Sequence, residues 1–458
     1  MTGFKETYGF SEKEWENCLH VLQQLKNNPL SNPDNEQFST LLTKVHKTAK
    51  KQLRQAKEDQ AKEADKPKIR ETTITRNALN NVSNSYHQPQ TETGYSKLEN
   101  PGTCYSCNDR YELLHSFYHR LCPRCAEFNF AYRSLCLDLS DRRIILTGGR
   151  VKIGYATALR LLRNGAHVTV TTRFPALALE QYQKENDYSQ WKNRLTVYGL
   201  DLRNLAAVED FVRFYTAQNN RLDALINNAA QTIRYPDAYY QPLVSEEAKL
   251  LDSGLRASLS PNQTPVLDNA SVALLSSSGE FGNRIALNRF GQPVDYRDKN
   301  SWNSLLEEVP TQEMLEVNLI NHIAPFMLIQ QLTPLLETCP ANERFIINVT
   351  SSEGQFSYPN KNAYHPHTNM TKAALNMLTR TSAMSYAKRK VYMTSVDVGW
   401  VSTGAHEEKR KKQFESGKIP PLDSVDGASR ILHPLHEAIE NKLYLSGVLL
   451  KDFKTVEW

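Results

Sequence analysis

The chain has 458 residues, enough for two or three domains and a large core. Its formal charge of +5 is too modest to single out nucleic acid as a partner, and no stretch reaches the roughly 18 consecutive apolar residues of a membrane span. Met1 to Leu30 lacks the apolar run of a secretory leader, and four of the seven cysteines fall in two Cys-x-x-Cys pairs; this predicts a reducing, cytoplasmic setting with a metal site rather than a disulfide framework.

A first helix is predicted over Ser11–Asn27. Ser11 and Glu14 match a capping box, and Trp15, Cys18, Leu19, Leu22 and Leu25 fall on one face. Pro29 and Pro33 end it. A second helix is predicted from Asn35 to about Asp65, amphipathic at first (Phe38, Leu41, Leu42, Val45) and almost wholly charged from Lys47 to Lys66. That basic stretch reads as a solvated helix with i,i+4 pairs such as Arg54–Glu58. A nucleic-acid surface is the less favoured reading, because aromatic residues are not interleaved with the charges. Residues 1–66 are thus a helical region, and residues 67–101, rich in Thr, Asn, Gln and Ser, read as a disordered linker.

Residues 102–140 carry Cys104-x2-Cys107-x14-Cys122-x2-Cys125. Two close pairs a short span apart let four thiolates converge on one tetrahedral zinc. Four protein ligands leave no open position, so the predicted role is structural, in a knuckle with little core of its own. His115 and His119 lie between the pairs and read as surface or packing histidines. The knuckle is expected to stand apart from the rest: chelation should unfold residues 102–127 and leave the following domain intact. Partner binding by the knuckle stays open.

From Arg143 strands and helices alternate. Strands are predicted at Arg143–Leu146, His167–Thr172, Leu195–Leu200, Leu222–Ile226, Arg344–Val349, Val391–Val396 and Gly447–Leu450, with helices at Ala176–Asp187 and Leu205–Gln218 and a long helix before each of the fifth and sixth strands. This pattern over 141–458 predicts an α/β fold, a doubly wound parallel sheet. A stretch at 231–310 is far longer than a compact βα connection and reads as an insertion over the C-terminal edge of the sheet, a lid or a partner-docking surface. Its part around Ser253–Ser278 also reads as disordered. The C-terminal Tyr444–Trp458 is expected on the sheet edge.

The first strand runs into Thr147-Gly148-Gly149-Arg150-Val151-Lys152-Ile153-Gly154 and then into an apolar helical pattern. Strand, glycine turn and helix place a pyrophosphate on a helix N-terminus, where free N–H groups and the helix dipole favour negative charge. Arg173 ends the second strand, beside the expected adenosine ribose, and an arginine there suits a 2′-phosphate better than a free hydroxyl. With Arg150 as a second phosphate partner, NADP is favoured over NAD.

Over about Arg143 to Asp452 the chain resembles the short-chain dehydrogenase/reductase family, which has a Rossmann-type fold. The glycine turn is similar to T-G-x-x-x-G-x-G, with Lys152 at the middle glycine; there its side chain either narrows the approach to the pyrophosphate or contacts phosphate. Asn227-Asn228-Ala229-Ala230 resembles N-N-A-G. The resemblance implies that Thr147, Gly148, Ile153, Gly154, Asn228 and Ala229 hold the cofactor and that Asp201 lies against the adenine. It further implies that Thr403, in Val398–Thr403, meets the nicotinamide carboxamide. It implies catalytic roles for Asn318, Ser352 and Lys372, with Lys372 also on the nicotinamide ribose. The departure is Thr368, which stands where the family's Tyr-x-x-x-Lys has tyrosine. A threonine hydroxyl does not ionise near neutral pH and is a poor acid. His367, His365 and Tyr364 lie in the preceding loop, and His367 is the expected substitute. Two functions follow: an NADP-dependent oxidoreductase acting on a small carbonyl or alcohol, or a catalytically weak dinucleotide sensor or scaffold. A dimer or tetramer is expected by family analogy alone.

Overall fold

The computed structural model describes residues 4–82, 94–253, 259, 288–340, 343–359 and 361–458. They divide into two compact units, residues 1–68 with 98–100 and residues 69–97 with 101–458. In the first unit, helices span Phe4–Tyr8 and Glu12–Leu25, and a long one begins at Asn35. Ser11 closes a reciprocal cap: its Oγ accepts from Glu14 N at 3.3 Å, and Glu14 Oε2 accepts from Ser11 N at 2.7 Å. The apolar stripe of this helix stays accessible, with Trp15 44% and Leu19 42% exposed.

The long helix runs past its predicted end at Asp65, through Pro67, to Glu71. Proline removes one backbone donor and strains the preceding turn. Just before it, the buried Asp65 carboxylate accepts from Glu99 N at 2.9 Å, Asn100 N at 2.8 Å and Lys68 Nζ at 3.1 Å.

The second unit opens with a correction. The expected linker is folded at both ends: a helix spans Thr73–Leu79, and β1 (Tyr95–Thr103) pairs antiparallel with β2 (Arg110–His115). Residues 83–93 lie outside the described residues. The composition between 69 and 82 is polar, but its few apolar side chains are used. Thr73 N and Ile74 N donate to Ser116 and Phe117 carbonyls, and Ile74 and Ala78 are buried. Tertiary contacts decided this segment where local pattern could not.

The main sheet has the order β10-β9-β8-β7-β6-β3-β4-β5. Its strands are β3 (Arg143–Thr147), β4 (His167–Thr172), β5 (Leu195–Gly199), β6 (Ala224–Asn227), β7 (Arg344–Thr350), β8 (Val391–Asp397), β9 (Leu449–Lys451) and β10 (Lys454–Val456). All neighbouring pairs are parallel except the β9–β10 hairpin at one edge. Both faces are covered, which is why these strands read as continuous apolar runs. Successive residues alternate between two cores: Ile144 and Leu146 join the helices Lys152–Arg163 and Ser424–Glu440, while Ile145 joins Leu205–Gln218 and Ala324–Glu337. The chain order reverses between β3 and β6, and that switch point opens a crevice beyond their C-terminal ends.

Of the expected insertion, the helix Asp237–Asp252 packs on the helix Pro175–Gln183, and its Glu247 accepts from Ala176 N at 2.7 Å and Leu177 N at 2.9 Å. The expected disordered part lies mostly outside the described residues. Among the described residues no helix is long and apolar enough to cross a membrane.

The helix Pro123–Arg133 joins the sheet domain through a buried charge network. Arg133 donates to Asp423 at 2.7 Å and to Asp426 at 2.9 Å, and Tyr118 Oη donates to Asp426 at 2.6 Å. Removing one partner strands the other charges in a dry site. Arg133→Met is expected to lower the unfolding free energy in urea by about 3–5 kcal/mol. Arg124→Met, which breaks an exposed pair with Asp109, should change it by less than about 1 kcal/mol.

Candidate active site

At the switch point the turn after β3 is built by close approach. Thr147 Oγ1 accepts from the backbone N–H groups of Asn228 and Ala229, both at 3.0 Å. Asn228 Nδ2 donates to the carbonyls of Thr147 at 2.9 Å and Gly148 at 3.2 Å. Gly148 has φ +76°, and a Cβ on Gly154 would fall inside the contact radius of the Gly148 carbonyl oxygen. Thr147, Gly148, Gly154, Asn228 and Ala229 are therefore brought together. The Ile153 side chain faces Gly427 of the helix Ser424–Glu440, so only its backbone is available to the turn.

Lys152 occupies the middle-glycine position with φ +53°, the left-handed conformation that glycine adopts without strain. Its half-buried ammonium lies 5.3 Å from the centre of the Phe290 ring. Burial, then Arg289 and Arg150, push its pKa down to about 8. Among the described residues the Lys152 side chain has no hydrogen bond or salt bridge. Arg150 has none either; it lies 5.3 Å over Phe174, and burial, then Arg173, push its pKa down to about 10. Arg173 donates to Tyr240 Oη at 3.3 Å. Asp201 is not open to a base edge alone, because Arg203 grips both its oxygens. Thr403 reaches the same region: with Lys152, Phe290 and Ser402 it lines a cavity of about 70 Å³.

The catalytic edge differs from expectation. Lys372 Nζ donates to the Val349 carbonyl at 2.9 Å, and burial pushes its pKa down to about 8. Ser352 Oγ donates to Asp397 Oδ2 at 2.9 Å and accepts from Lys451 Nζ at 3.1 Å. Asn318 Nδ2 donates to the Met314 carbonyl at 2.6 Å, and a π-turn, Leu319–Ile323, follows it. His367, the expected substitute for the tyrosine, is buried, and its Nε2 pairs with Glu313 at 3.1 Å. His365 bonds Thr368 and Asn369 and stacks on Trp302. Tyr364 is 42% exposed. None of the three has a hydrogen bond to Ser352.

A family model described as short chain dehydrogenase matches residues 142–248 and 299–413. The chain belongs to the short-chain dehydrogenase/reductase family. It is an oxidoreductase by that membership. It is 32% identical over 354 residues to "uncharacterized protein R665" of Acanthamoeba polyphaga mimivirus, covering 72% of this chain and 71% of that one. It is 35% identical over 92 residues to a probable 2,4-dienoyl-CoA reductase of Bacillus subtilis, covering 20% of this chain and 35% of the relative. A Pseudomonas aeruginosa RhlG/NADP complex aligns at 19% identity and TM-score 0.45, covering 68% of this chain and 95% of that one. The family match skips 249–298, so Arg289, Phe290 and Asp295 come from a segment that the match leaves out.

Asp397 and Lys451 were not expected at the site. Each ends a strand at the C-terminal edge of the sheet, where ligands of such folds bind, and that placement is the signal that could have found them.

The four cysteines Cys104, Cys107, Cys122 and Cys125 bring their sulfurs within 4.8 Å of one another, with Cys107 and Cys122 at 3.6 Å. A tetrahedron with metal–sulfur bonds of about 2.3 Å has edges near 3.8 Å, so the set fits one zinc-sized ion. His115 and His119 are buried packing residues: His115 accepts from Phe117 N, and burial, then Arg120, push His119 down to about 4.

Gly154→Ala tests the turn. Overpacking against the Gly148 carbonyl should cost about 1–3 kcal/mol in urea and remove dinucleotide binding in a calorimetric titration.

Proposed function

We propose that the chain is an NADP-dependent oxidoreductase acting on a small carbonyl or alcohol. The observation that carries this reading is the trio Arg150, Lys152 and Arg173 around one glycine turn; among the described residues the side chains of Arg150 and Lys152 make no hydrogen bond or salt bridge, and Glu247, which is near Arg150, is itself held by two backbone amides. Desolvated cations are costly unless an anion meets them, and the lowered pKa values of Arg150 and Lys152 support a ligand site there. A dinucleotide with a pyrophosphate and a 2′-phosphate would supply anions to such a cluster. Lys152 and Arg150 would meet the pyrophosphate with the amides that open the helix at Lys152, and Arg173 the 2′-phosphate. Lys372 would hold the nicotinamide ribose and Thr403 the carboxamide. When bound, the cofactor supplies or accepts the hydride. Ser352 would orient the substrate oxygen, and Asn318 would support a water in the proton path.

The proton is the open question, since Thr368 cannot supply it. Lys451, in contact with Ser352 Oγ, is the proposed source: the Ser352 hydroxyl would turn its proton from Asp397 to the substrate oxygen and give it up, the Lys451 ammonium would reprotonate the serine, and the amine would regain a proton from solvent. Asp397, bonded to the serine and 3.8 Å from Lys451 Nζ, would hold the two groups together before the proton moves. The four cysteines are proposed to hold a structural zinc, in keeping with a reducing compartment. The loss of the tyrosine and the engagement of His367 by Glu313 favour the second reading, a dinucleotide sensor.

Single-turnover oxidation of bound NADPH across a panel of carbonyls separates the two. Turnover is expected, and Lys451→Met should slow it by about 10²–10⁴-fold with NADPH affinity unchanged. Tight NADPH binding without turnover in the wild type selects the sensor.

Affinity should also depend on pH. The free protein holds Lys152 at a pKa of about 8, and a bound phosphate raises it. The lysine's contribution is thus complete below that pKa and lost as pH climbs through it toward the bound value. NADPH titrations from about pH 7 to pH 10 should show weakening affinity, and Lys152→Met should bind less tightly with a flatter profile.

A further inference from the structure

The cysteine knuckle reaches the cofactor side of the sheet domain through Tyr105, His119 and Arg120, and Tyr105 is the one among them that lies in the cysteine turn and bonds the loop backbone. Tyr105 sits between Cys104 and Cys107, and its own N–H donates to the Arg120 carbonyl at 2.8 Å. Its hydroxyl accepts from the backbone N–H of Trp400 at 2.8 Å. Trp400 follows Gly399, whose φ of +77° turns the chain sharply. A Cβ at Gly399 would lie 2.8 Å from Leu422 Cδ1 and 3.3 Å from Tyr105 Oη. The loop is thus held between Leu422 and the knuckle. Arg120 places its guanidinium 5.7 Å from the centre of the Trp400 ring, and His119 Nε2 lies 3.2 Å from the Ile419 carbonyl.

What that loop joins matters. It starts at Asp397, which holds Ser352 and accepts from Gly399 N at 2.9 Å. It ends at Thr403, in the cavity shared with Lys152. Leu114, Tyr118, Leu121 and Ala126 are buried under the hairpin and the helix Pro123–Arg133, whereas the Cys104–Cys107 turn is tied to the start of that helix by the cluster of four sulfurs.

We propose that metal at the four cysteines sets the nicotinamide side of the cofactor site, with Tyr105 as the positioning residue. Metal fixes the turn, the turn fixes the phenol, and the phenol holds Trp400 so that Val398–Thr403 keeps its bound-state shape. Losing the metal loosens that loop while the glycine turn, on the other side of the switch point, is untouched. The inference rests on the dinucleotide reading above.

Two probes separate the halves of the site: NADPH, which spans both, and 2′,5′-ADP, which lacks the nicotinamide half. The test uses the full chain loaded with Zn²⁺. In Tyr105→Phe, which leaves all four thiolates, NADPH affinity is expected to fall roughly tenfold, because Trp400 N–H loses its partner. Zinc content and 2′,5′-ADP affinity should hold. Chelation should reproduce the loss, re-added Zn²⁺ should reverse it, and chelating Tyr105→Phe should add little, since both act on one link. Equal weakening of both probes, or unchanged NADPH affinity in the variant, overturns the proposal. Wild type that binds neither probe overturns the dinucleotide reading itself, a different failure. Should chelation unfold the whole chain, Tyr105→Phe decides alone.

Discussion

The contact between Gly154 and the carbonyl of Gly148 governs the site. With no side chain at 154, the first turn of the helix Lys152–Arg163 comes down onto the end of β3, and Asn228 closes the gap from the end of β6. Three consequences follow from one close approach. The opening amides of the helix face outward over the crevice, Thr147 is fixed beneath Asn228 and Ala229, and the side chains at 150 and 152 are carried to the rim. A bulkier residue at 154 would lift the helix and disperse all of them.

Around that fixed turn the chain has added charge and cover. The helix Asp237–Asp252 puts Tyr240 against Arg173 and Glu247 on the amides that open the helix Pro175–Gln183. Glu247 therefore competes for backbone donors near the proposed 2′-phosphate region. Phe290 and Arg289 lie over Lys152, while Asp295 accepts from Asn300, which also donates to the Gly404 carbonyl. The additions are wound into the site rather than appended to the fold. That is why the knuckle, expected to stand apart, meets the loop at Trp400.

The sheet was legible because its strands are buried on both faces and so spell uninterrupted apolar runs, and because glycine at 148 and 154 marks a turn no other residue permits. The cap at Ser11 and the four cysteines were legible for the same reason: their chemistry depends on local spacing. What escaped depends on pairings between distant segments. Asp397 and Lys451 meet through the register of β8 and β9, which no local pattern specifies. His367 looked available because its partner Glu313 sits on another helix. The segment at 69–82 looked unstructured because Ile74 and Ala78 are too few to form a periodic face, yet enough to seat one helix on the hairpin.

Lys152 shows what the chain gives up for its charge. A left-handed backbone at a residue with a Cβ is strained by about 1–2 kcal/mol, and an ammonium half sunk among cations adds to that cost. Glycine would relieve both at once. Under the dinucleotide reading proposed above, an arriving polyphosphate would offset the charge part of that cost, and the backbone part would stay in the bound state.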